Sequence, residues 1–185
     1  MSRLCILSIS ILSCLFFCAA ASKAPPVLVR FHVVASAQDR EPFIMAARMS
    51  ESSESINLLK MPVVTEHDIS AFHPYPLPNG TYGATFVLEH HGTKVLENAS
   101  RSHRGGTMVA VVNGRAVAAM RIDRPVNDGL IVIPHGLTVP EVKLLGERFS
   151  LVGESPDQTR ARRKADRQSE AQNRKANAAA RAAQP

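Results

Sequence analysis

The sequence predicts an α+β fold: a mainly antiparallel sheet with two short helices packed on one face, followed by a disordered C-terminal tail. Three observations carry that prediction. The first is a set of short runs in which apolar and polar residues alternate with the period of a half-buried strand. The second is Asn113-Gly114 between two apolar runs. Both central positions of a type I′ turn need positive φ, which Asn and Gly tolerate best, so the pair marks a hairpin. The third is a helix start around Thr138, with Glu141 three residues on to complete a capping box. There Leu137 and Val142 stand at staple positions, and Pro140 falls in the first turn, where a missing N–H costs nothing.

The chain has 185 residues, 45% of them apolar, enough for one domain with flanking segments. Residues 1–21 have the layout of a secretory signal: Arg3, an apolar run over 4–18, then Ala19-Ala20-Ala21 as a small-residue cleavage site. The run is shorter than the ~20 residues a spanning helix needs. Cys5, Cys14 and Cys18 are the only cysteines. A form cut after Ala21 therefore has no disulfide, no Cys zinc site and no Cys nucleophile. Lipidation of Cys14 or Cys18 is the alternative reading of this segment. Either way the setting is extracytoplasmic, periplasmic or secreted.

A spacer over 22–26 leads into a domain spanning 27–153. Val27, Val29, Phe31 and Val33 alternate with Leu28, Arg30 and His32, which predicts a strand with one buried face. Strands at 43–49 and 56–61, separated by the polar run 51–55, complete an expected antiparallel meander. Residues 65–72 suggest one short helical turn, and 73–80, with three prolines and Asn79-Gly80, a surface loop. Residues 81–88 alternate and form a strand; 89–100 read as a helix with Val95, Leu96 and Ala99 buried and Gly92 as its weak point. The hairpin follows, then a turn-rich connector at 123–129, a strand over 130–133 and the capped helix. Residues 154–185 form a basic tail rich in Ala, Arg and Gln, expected to be disordered or a solvated helix. From 155 onward eight Arg or Lys stand against three Asp or Glu, a net of +5 out of the chain's +6. The folded part is nearly neutral.

Residues 68–149 resemble the head subdomain of the first periplasmic domain of SecD, an export-assisting membrane protein. The matching pieces are Thr85-Phe86-Val87-Leu88 with Gly92, the apolar run 108–112, Asn113-Gly114-Arg115 and Ala118-Ala119. Ile122, Gly129, Gly136-Leu137-Thr138 and Glu141 complete the match, which covers under half of the chain. Met120 stands where that family has a proline. With no transmembrane helices following, the intramembrane proton-relay residues of SecD have no counterpart. The resemblance implies a fold, an extracytoplasmic setting and at most a polypeptide-handling surface.

Motifs for chemistry are sparse. Glu89-His90-His91, with His103 nearby, is the nearest approach to a metal cluster, but adjacent helical histidines point about 100° apart. Two-His sites on helices favour an i, i+4 spacing. His67 and His73 read as surface residues beside a loop. No Gly-x-Ser-x-Gly elbow, phosphate loop or dinucleotide fingerprint occurs. Asp123 and Asp128 flank a turn, where Asp is ordinary turn chemistry. The expectation is a non-enzymatic binding domain with no catalytic residue, cofactor or metal, its partner a protein or an envelope component. The surface to test comprises His90, His91, Lys94, Arg101, Arg121, Arg124 and Asp128. An exported hydrolase with a scattered site, or a structural subunit of an envelope complex, are the competing classes. The basic tail suits an anionic membrane surface or cell-wall polymer better than nucleic acid; a soluble tail without a partner is the plainer reading.

Overall fold

The computed structural model describes residues 27–50, 52 and 54–182. The expected signal at 1–21, the spacer at 22–26 and Cys14 and Cys18 lie outside the described residues. The elements run β1 (Val29–Val33), β2 (Ile44–Arg48), β3 (Ser55–Leu59), β4 (Ile69–Pro76), β5 (Tyr82–Leu88), α1 (His90–Ser102), β6 (Thr107–Val112) and β7 (Arg115–Arg121). Then come β8 (Leu130–Leu137), α2 (Val139–Arg148), β9 (Ser150–Leu151) and α3 (Pro156–Ala182). The strands form a three-stranded sheet β1-β6-β7, a hairpin β2-β3 and a four-stranded sheet β8-β5-β4-β9. All ladders are antiparallel except β4 with β9. The fold is α+β, as the patterning implies.

The hairpin at Asn113-Gly114 forms as its residues dictate, with φ of 50° and 82° at the two positions. The helix start does too. Thr138 and Glu141 exchange hydrogen bonds in a complete capping box at the head of α2. β6 and β7 are apolar without alternation because their sheet is covered on both faces. One face joins the main core, through Ala110, Val112, Val117 and Ala118. The other face gives Val109, Val111 and Ala116 to a smaller cluster with Leu58, roofed by the β2–β3 hairpin. Four phenylalanines tie the two larger sheets together. Phe86 of β5 meets Phe31 of β1 edge-on at 6.0 Å and stacks on Phe72 of β4 at 6.1 Å; Phe149 closes the row against Phe72.

Several expectations are corrected. The front of the domain is not a meander: β1 pairs with β6, Phe31 opposite Ala110, and only β2 and β3 form a hairpin. The polar-looking face of β1 is buried at its far end, where His32 is 2% exposed beneath the hairpin with its Nδ1 2.8 Å from the Leu59 carbonyl, while Arg30 on the same face stays exposed. Residues 65–68 make a turn rather than a helical start, and much of the supposed loop 73–80 is β4. Its prolines survive in a strand because of their spacing. Leu77 N–H donates to Thr81 O, so odd-numbered residues face β5 and even-numbered ones face outward. Phe72, also even, gives its carbonyl to Val152 on the β9 side. Pro74 and Pro76 thus lie along the outer edge, where no donor is needed.

Gly92 is not a weak point of α1. A Cβ there would lie 2.7 Å from Asp68 Cβ, so only glycine lets the helix reach the Thr65–Asp68 turn. The buried line of α1 is Gly92, Leu96 and Ser100 rather than Val95 and Ala99. β8 extends past Ile133 to Leu137, through a register shift opposite Tyr82 and Ala84. Of the two states expected for the tail, residues 156–182 take the helical one.

Candidate functional site

β7 and β8 end their respective sheets on facing sides. They touch where Gly136 packs on Val117, so closely that a Cβ at Gly136 would sit 3.0 Å from Val117 Cγ1. Beyond that contact lies a groove of about 480 Å³. Its floor is apolar: Leu96 of α1, Met108 of β6, Met120 of β7, then Ile122, Val126 and Ile131. Its rim carries Arg121, Asp123, Arg124 and Asp128 from the connector. Leu130 and Val132, each 40% exposed, stand along the β8 side.

The connector is fastened rather than loose. Ser100 Oγ accepts the Val126 N–H at 2.9 Å, and Arg104 Nε donates to the Asp123 carbonyl at 3.2 Å. Gly129, at φ 71°, lies against Thr93. The start of α1 is held without a side-chain cap of its own. Asp68 instead gives its carbonyl to Glu89 N–H at 2.8 Å, while one carboxylate oxygen accepts from the Thr65 N–H and hydroxyl and the other meets His91 Nδ1 at 3.0 Å. Burial opposes ionisation of Asp68, but the hydrogen bonds from Thr65 and His91 outweigh it and hold the carboxyl below its usual range.

The backbone at β8 has a definite polarity. Leu88 N–H donates to Gly129 O, so the odd residues of β8 face β5 and the even ones turn outward. The outward N–H of Leu130 is taken by Asp128 Oδ1 at 3.0 Å, and Pro134 has none. Val132 between them directs its N–H and C=O toward the groove.

The surface expected from sequence divides in two. Arg121, Arg124 and Asp128 come together at the groove rim. His90, His91, Lys94 and Arg101 lie on the exposed side of α1, where Lys94 and Arg101 both pair with Glu97. Glu97 is held below the usual carboxylate range, chiefly by the Lys94 hydrogen bond. Asp123 pairs with Arg121 at 3.1 Å, so the two turn carboxylates have structural partners. Among the described residues, no three His, Cys, Asp or Glu side chains gather as a metal site would need.

Sequence reasoning missed three polar features. Asp68 was signalled by the Thr65-x-x-Asp68 spacing, which marks a turn rather than a helix. Arg115, beside the hairpin turn, reaches Glu141 with Nε at 3.2 Å and NH2 at 2.6 Å, and also donates to Gly136 O. Arg162 of α3 grips Glu154 with Nε at 2.7 Å and NH2 at 3.1 Å, and donates to the carbonyls of Gly146 and Phe149. That bond to Arg162, with help from the Leu151 N–H and the Thr159 hydroxyl, pulls the Glu154 carboxyl down to about 2. Neither arginine stands in a local motif with its carboxylate.

No family model matches the sequence, and neither does any curated protein. Solved structures do match. The chain is similar to SecDF. One match is to a chain of SecDF described as a membrane component that enhances protein export, at 18% identity and a TM-score of 0.48, covering 68% of this chain and 64% of that one. Another is to SecDF in a super-membrane-facing form, at 17% identity and a TM-score of 0.49, covering 68% of this chain and 19% of that one. The present chain therefore spans less than two thirds of the length of either SecDF chain. Among the described residues no helix is long and apolar enough to cross a membrane.

Proposed function

We propose that the chain is an extracytoplasmic, non-enzymatic binding domain that holds an extended polypeptide segment in the groove between α1, the connector and β8. The observation that carries this reading is the terminal strand beside an apolar floor. Val132 offers a backbone donor and acceptor at the edge of the groove, beside the exposed Leu130 and Val132 side chains and next to the partly buried Met120 and the buried Ile122 and Ile131. An added strand satisfies its own backbone on such an edge and places alternate side chains in the groove. The rim carries both signs of charge, which suits peptides of mixed composition. This keeps the polypeptide-handling role implied by the SecD-head resemblance and gives it a location.

The test is fluorescence anisotropy with labelled unfolded peptides rich in alternating apolar residues. Leu130→Thr with Val132→Thr keeps β propensity and removes the exposed apolar rim, and is expected to weaken binding about tenfold or more. Unchanged affinity in that double variant would rule the groove out. Cleavage of the peptides, by the same purified protein at constant specific activity, would favour the hydrolase reading instead.

A further inference from the structure

α3 carries a second surface, which goes beyond the groove. Arg160, Arg167, Arg174 and Arg181 recur at seven-residue intervals, and Lys164 and Lys175 stand beside them. At 3.6 residues per turn all six fall within an arc of roughly 120° and extend over about 32 Å. The roughly 20° lost per heptad leaves the row on one side of the rod. These six side chains are exposed. Arg162 lies on the opposite side, and it is the residue that docks α3 through Glu154, Gly146 and Phe149. Arg163 adds a contact to the Arg148 carbonyl at 2.8 Å. Arg163 stands at the same angle as Arg181, at one margin of the row, so the docking fixes the rotation of the helix about its axis with the centre of the row about a third of a turn from the side that meets the domain. Two acids lie near the row: Asp157, paired with Arg160 at 3.4 Å, and Glu170 at its margin.

We propose that this row is a peripheral contact for an anionic lipid surface. A plane can touch one arc of a rod along its length, and the domain meets α3 beside this arc, through Arg162 and Arg163 near its start. Lipids diffuse laterally, so their headgroups collect under the cations whatever the spacing along the helix. Between the cations the arc holds alanines, Ala171 and Ala178, with no aromatic or large apolar residue. It therefore has nothing to stack on bases and nothing to insert below the headgroups. Binding is electrostatic, reversible and weakened by salt.

The experiment uses the full chain with vesicles of mixed phosphatidylglycerol and phosphatidylcholine against vesicles of phosphatidylcholine alone. The difference between the two removes any contribution from the apolar run at 4–18. Replacing Arg160, Arg167, Arg174 and Arg181 together by Gln is expected to lower the anionic-specific partition at least ~100-fold at low salt. A charge-matched variant carries Arg167→Ala, Ala165→Arg, Arg174→Ala and Ala176→Arg, which moves two cations to the other side of the helix. It is expected to lose about tenfold or more while keeping its helical circular dichroism. Equal partition of the charge-matched variant and the parent overturns the proposal, as does tighter binding of the parent to soluble polyphosphate or single-stranded DNA than to the vesicles. The Leu130→Thr, Val132→Thr variant keeps its vesicle binding, so failure of the groove and failure of the row are read separately.

Discussion

The two larger sheets differ in how they are covered. The β1-β6-β7 sheet is enclosed on both faces, by the main core and by the β2–β3 hairpin. The β8-β5-β4-β9 sheet buries Phe72, Ala84, Phe86 and Ile133 on one face and leaves Leu130 and Val132 40% exposed at the other. The first sheet spends its apolar residues on its own stability, and the second keeps some for the surface. That difference is why the proposed peptide site is put on the second sheet, at the edge where it meets the first.

The largest expected effect breaks the link between the sheets. Phe86→Ala removes the ring that touches both Phe31 and Phe72, and is expected to cost about 3–5 kcal/mol in urea unfolding. The comparison itself is tested by one substitution made twice. Val109→Ala, in the enclosed sheet, is expected to cost about 2 kcal/mol, and Val132→Ala, on the open one, about 0.5 kcal/mol or less. Similar costs would mean that the open face is covered in solution. Arg115→Met removes a bidentate partner from Glu141, whose side chain is only 10% exposed. It is expected to cost about 1–3 kcal/mol, and Glu141→Gln in the same background should recover part of it.

The smallest effect is one of pH. Burial lowers the pKa of His32 below its ordinary 6.5, with Arg30 adding to this and the Leu59 hydrogen bond opposing it. The unfolded chain therefore binds the proton more readily. His32's contribution to stability is full above 6.5 and falls as pH drops from there toward the folded-state value. The depressed carboxyls of Asp39, Asp68, Glu97 and Glu154 act in the same direction, but only once pH falls into the carboxylate range. Urea midpoints of the parent should therefore decline in two separate stages on acidification, and a His32→Gln variant should lack the first.

What could be read from the sequence was local. Asn113-Gly114 needs only its own φ angles, and Thr138 with Glu141 needs only one helical turn. Both form as their residues dictate. The partner of β1 could not be read, because an alternating strand carries no mark of the strand it will pair with, and β6 lies about eighty residues away. Prolines at 74 and 76 suggested a loop because their meaning depends on whether the strand is an edge. His32 looked exposed by alternation because the hairpin that buries it is a separate layer. At the groove, Arg121, Arg124 and Asp128 were accessible as a charged turn, whereas the apolar floor was assembled from α1, β6, β7 and β8 and had no sequence signature of its own.

The outward prolines of β4 have a consequence for crowded conditions. A sheet that grows into a filament needs two competent sides per molecule, one to receive a strand and one to offer the next. Here the β4 side is blunted by Pro74 and Pro76 and partly occupied by β9, while β8, a terminal strand, is the side proposed to take a strand at Val132. Two molecules that meet through β8 use up their receptive sides on each other. Association of this kind stops at the pair, so an edge left open for a ligand need not become a seed for fibres.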